Sequence, residues 1–183
     1  MKRIILVTIG LLISSCLIFV FYKPLENTEN IPNDVLDYID AYGYRIVGYD
    51  EERTWHLTKE NLKITYFETF HLMGLDIRDY LGKDLILNFV YVTNHPFDND
   101  FDRLKRTIKY GFKTGFPNKT KIVVVKLENN IIGSYSLDVQ TRDKLLGNIM
   151  GDIHGRRIEE LIGKESNEVL EDIMIERDNI LIN

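Results

Sequence analysis

The stretch from Thr120 to Val139, TKIVVVKLENNIIGSYSLDV, restricts what this chain can fold into more than any other. Two runs of β-branched and apolar residues flank Asn129-Asn130, a pair that tolerates positive φ in a tight turn. The segment therefore reads as two strands of a hairpin. DLILNFVYVT, Asp84 to Thr93, has the same β-branched and aromatic richness and reads as a central strand.

Helical patterns surround these strands. Asn33 or Asp34 can cap a helix whose apolar face is Val35, Leu36, Ile39 and Tyr42, with Gly43 suited to a left-handed stop. YRIVGY and RTWHLT read as two short strands, and a helix is expected from Asn61 to Met73, ended by Gly74, with one more turn in DIRDYLGK. The C-terminal third looks helical from Thr141. Its last stretch, VLEDIMIERDNILIN, reads as helix then strand or as a hairpin, the former being favoured. Helices interleaved with hairpin-connected strands predict an α+β fold with a mainly antiparallel sheet and packed short helices. GLDIRDYLGK (Gly74 to Lys83) and GRRIEELIGK (Gly155 to Lys164) echo each other in register, as any short glycine-terminated amphipathic turn would.

Ahead of this body, Lys2 and Arg3 precede nineteen uncharged residues, Ile4 to Tyr22. As a helix they would reach about 28 Å, near the hydrocarbon thickness of a bilayer. The basic pair favours a cytoplasmic N-terminus. The sole cysteine, Cys16, follows Ile13-Ser14-Ser15 in a lipobox-like order, which makes it a candidate lipidation point. The apolar run continues past it, which favours a retained transmembrane helix. The expected organisation is a membrane anchor or signal segment over residues 1–23, a polar linker over 24–32 and an extracytoplasmic domain over 33–183. With no cysteine in that domain, disulfides, thiolate metal sites and a cysteine nucleophile are excluded from it. A body of this size can be stable on its hydrophobic core alone.

VLDYIDAYGYRIV, GLDIRDYLGK with its following strand, and the late hairpin together resemble an uncharacterised domain of small membrane-tethered or lipoprotein-like proteins from Bacillus and relatives. The matching positions are Tyr42, Gly43, Tyr44, Gly74, Asp76, Tyr80, Gly82, Lys83 and Gly133. The resemblance spans Val35 to Val139. It implies a bacterial envelope location and brings no activity, catalytic residue or cofactor.

Charge is distributed unevenly. Arg103, Lys105, Arg106, Lys109, Lys113, Lys119 and Lys121 fall within twenty residues that hold no acid, leaving 16 basic against 28 acidic residues elsewhere. Phe101, Leu104, Ile108 and Phe112 can bury one side of a helix there, so the cations would face outward as an anionic-surface site. Candidate partners are anionic lipid, teichoic acid or an acidic protein. Nucleic acid is not expected outside the membrane, although Tyr110, Phe112 and Phe116 interleave with the charges.

Other constellations are incomplete. Asp98, Asp100 and Asp102 open like a calcium loop, but Arg103 stands where glycine is needed and Lys109 where the bidentate glutamate should be. Glu68 and His71 have E-x-x-H spacing without the second copy that a di-metal site needs. His56, His71, His95 and His154 are scattered. Gly163-Lys164 is followed by Glu165, not by a P-loop hydroxyl, and G-x-S-x-G is absent. Trp55 and His56 read as packing residues. The expectation is a non-enzymatic envelope binding domain, with no cofactor, metal or catalytic residue assigned. The alternative is an envelope-polymer hydrolase or transferase using dispersed Asp, Glu and His residues, whose acids and bases would have to converge in one pocket.

Overall fold

The computed structural model describes residues 28–99, 120–138 and 150–182. Five strands form one antiparallel meander in chain order: β1 (Arg45–His56), β2 (Asp84–Thr93), β3 (Thr120–Leu127), β4 (Asn130–Asp138) and β5 (Met150–Asp152). Four helices pack on it: α1 (Asn33–Ala41), α2 (Ile64–Met73), α3 (Ile158–Ile162) and α4 (Ser166–Ile182). The class is α+β, as expected.

β3 explains why its sequence is an unbroken apolar run: both of its faces are buried. Val123 and Val125 point into a core with Leu85, Leu87, Phe67, Phe70, Val169 and Ile173, beneath α2 and α4. Ile122 and Val124 point the other way, into a core with Val90, Val92, Val35 and Ile39, beneath α1. The sheet thus lies between one helix and three. Ile31 is buried in the α1 core, so packing of the body starts two residues ahead of Asn33.

Several local expectations change: β5 lies within the stretch from Thr141 that reads as helical, and α1 starts after Pro32 with no side-chain cap from Asn33 or Asp34. YRIVGY and RTWHLT are parts of the single edge strand β1, with register shifts between Ile46 and Gly48 and between Tyr49 and Glu51. Gly48 and Asp50 resemble a break in sequence, but bulges absorb the extra residues, which also blunts the edge against pairing with other chains. The hairpin loop is Glu128-Asn129, with Leu127 paired to Asn130 and the positive φ on Glu128 (φ 55). The helix expected from Asn61 starts at Ile64, because Lys59–Asn61 form a separate 3-10 turn. The C-terminus is one continuous helix, not helix then strand. Val169, Ile173 and Ile180 all reach the core from one side of α4, and that packing overrides the β preference of its isoleucines.

The sequence echo has a local structural counterpart. Gly74, Gly82, Gly155 and Gly163 all take left-handed φ, between 70 and 78°, and bracket helical turns at Ile77–Tyr80 and Ile158–Ile162. The first leads into a strand and the second into a helix, so the likeness ends at the turn. Among the described residues no helix is long and apolar enough to cross a membrane. The run from Ile4 to Tyr22, including Cys16, lies outside them.

Candidate functional site

The densest polar cluster among the described residues sits at one end of the sheet, where β2 finishes and β3 begins. After Thr93 the chain turns through Asn94 (φ 70) to His95, then a 3-10 turn at Pro96–Asn99. His95 is fully buried. Its Nδ1 accepts the Phe97 N–H at 3.1 Å, so the proton resides on Nε2, which donates to the Ile153 carbonyl at 3.1 Å. The Tyr44 hydroxyl donates to the same carbonyl at 2.7 Å. Rings continue outward on both sides: Phe97 edge-on at 5.0 Å, Tyr44 tilted at 5.1 Å, then Tyr42, then the exposed His154 against Tyr42 at 5.6 Å.

Two carboxylates brace this cluster. Asp98 accepts from the His95 N–H (3.1 Å) and from the Thr120 hydroxyl (2.9 Å), tying the exit of β2 to the start of β3. Buried Asp152 accepts from the His154 and Arg156 amides and from the Arg156 guanidinium. Burial, with Asp152 nearby, pushes the Tyr44 hydroxyl above its ordinary pKa. Tyr44 therefore stays a neutral donor. These bonds occupy both ring nitrogens of His95, and the chemistry they serve is positional. They hold the Asp98–Thr120 junction between which residues 100–119 leave and re-enter the sheet. β4 ends at the same place, Asp138 lying opposite Thr120.

Of the seven basic residues singled out from the sequence, Arg103, Lys105, Arg106, Lys109, Lys113 and Lys119 lie outside the described residues. So do Asp100 and Asp102. Lys121 is on β3, with Nζ 2.6 Å from Asp50 and 4.9 Å from the Tyr91 ring centroid. Its charge is balanced within the body. The other two histidines lie apart from this cluster: His56 meets Asp84 at the far end of β1, and His71 meets Glu176 of α4 at 2.8 Å. Trp55 packs on Tyr66 with ring centroids 4.2 Å apart. Among the described residues no three His, Cys, Asp or Glu side chains are grouped to hold a metal ion.

The sequence offered little sign of the His95 cluster, because its members come from positions 44, 95, 98, 120 and 152 and meet only through sheet order. The usable signal was that His95-Pro96 follows the strand-like run DLILNFVYVT, whereas Asp152-Ile153-His154 lies in a stretch that reads as helical. No family model matches this chain, and no curated protein or solved structure matches it at a significant level.

Proposed function

We propose that this protein is a membrane-anchored, extracytoplasmic binding domain of the bacterial envelope, acting through the basic segment that begins at Arg103. The observation that supports this most is the placement of the two chain exits. Asp34 at the start of α1 pairs with Lys126, beside the β3–β4 turn, so the N-terminal tether joins the body at that end. The root of the basic segment is clamped at the other end by Asp98 and Thr120, six residues and about 20 Å from Lys126 along the strand. Eight residues separate Tyr22 from buried Ile31, a reach of about 30 Å at full extension. The basic segment thus leaves the body at the end farther from the tether. Of the three anionic partners this favours wall-polymer phosphates such as teichoic acid over the lipid of the anchoring membrane.

The competing hydrolase or transferase reading needs an acid and a base free to act in one cleft. Of the two histidines in the polar cluster, buried His95 has both nitrogens committed to backbone partners, and exposed His154 lies against the Tyr42 ring.

The test has two arms. The full-length chain should fractionate with membranes and expose its C-terminus outside, and Cys16→Ala should leave retention and mature mass unchanged. A lipid label lost in that variant, with a shorter mature chain, would assign a lipoprotein anchor. Residues 30–183 should bind purified teichoic acid more tightly than anionic vesicles, with strong salt dependence. Reversal of Lys105, Arg106, Lys109 and Lys113 to Glu should abolish that binding, since each cation near such a surface contributes about 1 kcal/mol. Absence of salt-sensitive binding to either polymer or vesicle would leave the lysines a solubilising role only.

A further inference from the structure

α4 carries more apolar surface than its packing uses. Val169, Ile173 and Ile180 meet the core, whereas Leu170 (41% exposed), Met174 (42%) and Ile175 (55%) face solvent, as do Leu181 and Ile182. At 100° per residue these fall into two ridges, Leu170-Met174-Leu181 on one side and Ile175-Ile182 on the other. Glu171 and Asp178 lie on the line between the ridges, seven residues and about 10 Å apart. A shallow depression of about 410 Å³ follows that line, lined by Asn167, Leu170, Glu171, Met174, Ile175 and Asp178. Asp178 already holds Arg177, and Glu171 has no partner among the described residues.

We infer that this face of α4 is a docking surface for a cationic amphipathic helix of another protein. Exposed apolar ridges of this kind mark interaction sites, and a helix laid in such a groove is read by anchors spaced three, four and seven residues apart. The acidic line selects the occupant. A second copy of α4 would bring its own Glu171 and Asp178 against these two, placing like charges in a drying interface. A helix with cations seven residues apart and apolar side chains between them meets both ridges and both carboxylates.

The probe is a fluorescein-labelled Leu/Lys peptide of eighteen residues, with Lys at i and i+7 and Leu at i+3 and i+4. Its control carries Glu for every Lys. Both are titrated with the full-length chain in neutral detergent and read by anisotropy. The Lys peptide should bind, more weakly as salt rises, and the Glu peptide should not. The charge-neutral pair Leu170→Gln and Met174→Gln should weaken binding by about tenfold or more, the loss expected when anchor contacts are removed. Glu171→Lys with Asp178→Lys should do the same. All these side chains are exposed, and unchanged melting curves will show that each variant folds. Binding insensitive to the Gln pair would mean only general attraction to an acidic protein, and overturns the proposal. Failure of the wild-type chain to bind, or a dimer that the same variants dissolve, overturns it as well.

Discussion

Beneath α2, α3 and α4 the sheet presents Leu85, Leu87, Val123, Val125 and Tyr135, closed over by Phe67, Phe70, Leu72 and Ile77. Beneath α1 it presents Val90, Val92, Ile122 and Val124 together with Asn88, Ser134 and Ser136, all buried. The β4 sequence Gly133-Ser134-Tyr135-Ser136-Leu137 shows the division within five residues, serines to one face and larger side chains to the other. A nine-residue helix covers less sheet than three helices do. On the α1 side tyrosines make up part of the deficit, each adding ring area and a hydroxyl that meets a buried polar group. Tyr38 and Ser134 share a hydrogen bond of 3.0 Å, Tyr49 donates to Asn88 at 2.9 Å, and Tyr44 donates to Ile153. One face is closed by volume, the other by volume and hydrogen bonds.

Removing volume from the three-helix face should have the largest effect. Phe70 is 1% exposed and packs on Tyr80 with ring centroids 5.3 Å apart. Phe70→Ala should lower the unfolding free energy by about 3–5 kcal/mol, as a transfer term plus an uncollapsed cavity. Urea denaturation of residues 30–183 measures it. A loss below about 1 kcal/mol would mean that α2 is not the principal cover of this face.

The α1 face should instead respond to broken pairing. Asn88 is fully buried, and its Nδ2 is the one buried side-chain polar atom without a partner among the described residues. Tyr49→Phe strips the remaining bond to its Oδ1 and should cost about 1–3 kcal/mol, the desolvation penalty of an unpaired buried group. Adding Asn88→Leu to that variant should recover most of the loss, because both polar partners are then gone. If the double variant is less stable than Tyr49→Phe alone, the site needs its amide, and the comparison between faces must be redrawn.

The apolar half of this contrast was the legible half. The bounds of β2 coincide with the run read from sequence, and β3 and β4 differ from it only in which residues turn, because β-branched density marks buried strands directly. β1 was misread as two strands, since Gly48 and Asp50 look like a break until a neighbouring strand supplies the register that makes them bulges. The end of α4 was misread as a strand because Asn179-Ile180-Leu181-Ile182 has strand-like residues, and only contact with α2 decides which periodicity governs. The polar half was not legible. Tyr49 meets Asn88, Tyr38 meets Ser134 and Lys121 meets Asp50 across 39, 96 and 71 residues of sequence. No local pattern encodes such pairs, and the same holds for the His95 cluster.

The smallest expected effect concerns charge, and it reverses the contrast. The Tyr38 hydroxyl on the α1 face stays neutral at working pH: burial pushes it up to about 12 against the pull of its Ser134 bond, so it adds no pH slope there. The helical layer holds Glu68, on α2, whose carboxyl is raised above its ordinary value by burial first and by Glu159 of α3 second. A raised carboxyl binds its proton more tightly folded than unfolded. Its contribution to stability is therefore greatest below the unfolded value near 4.5 and falls as pH climbs through the raised folded value. Glu68→Gln removes that slope. The variant should melt at a higher temperature than wild type at pH 7 and at the same temperature at pH 4, with a difference smaller than either effect above. A wild-type advantage at pH 7 would show that ionised Glu68 has a favourable partner, and that the helical layer, like the α1 face, is held in part by polar pairing.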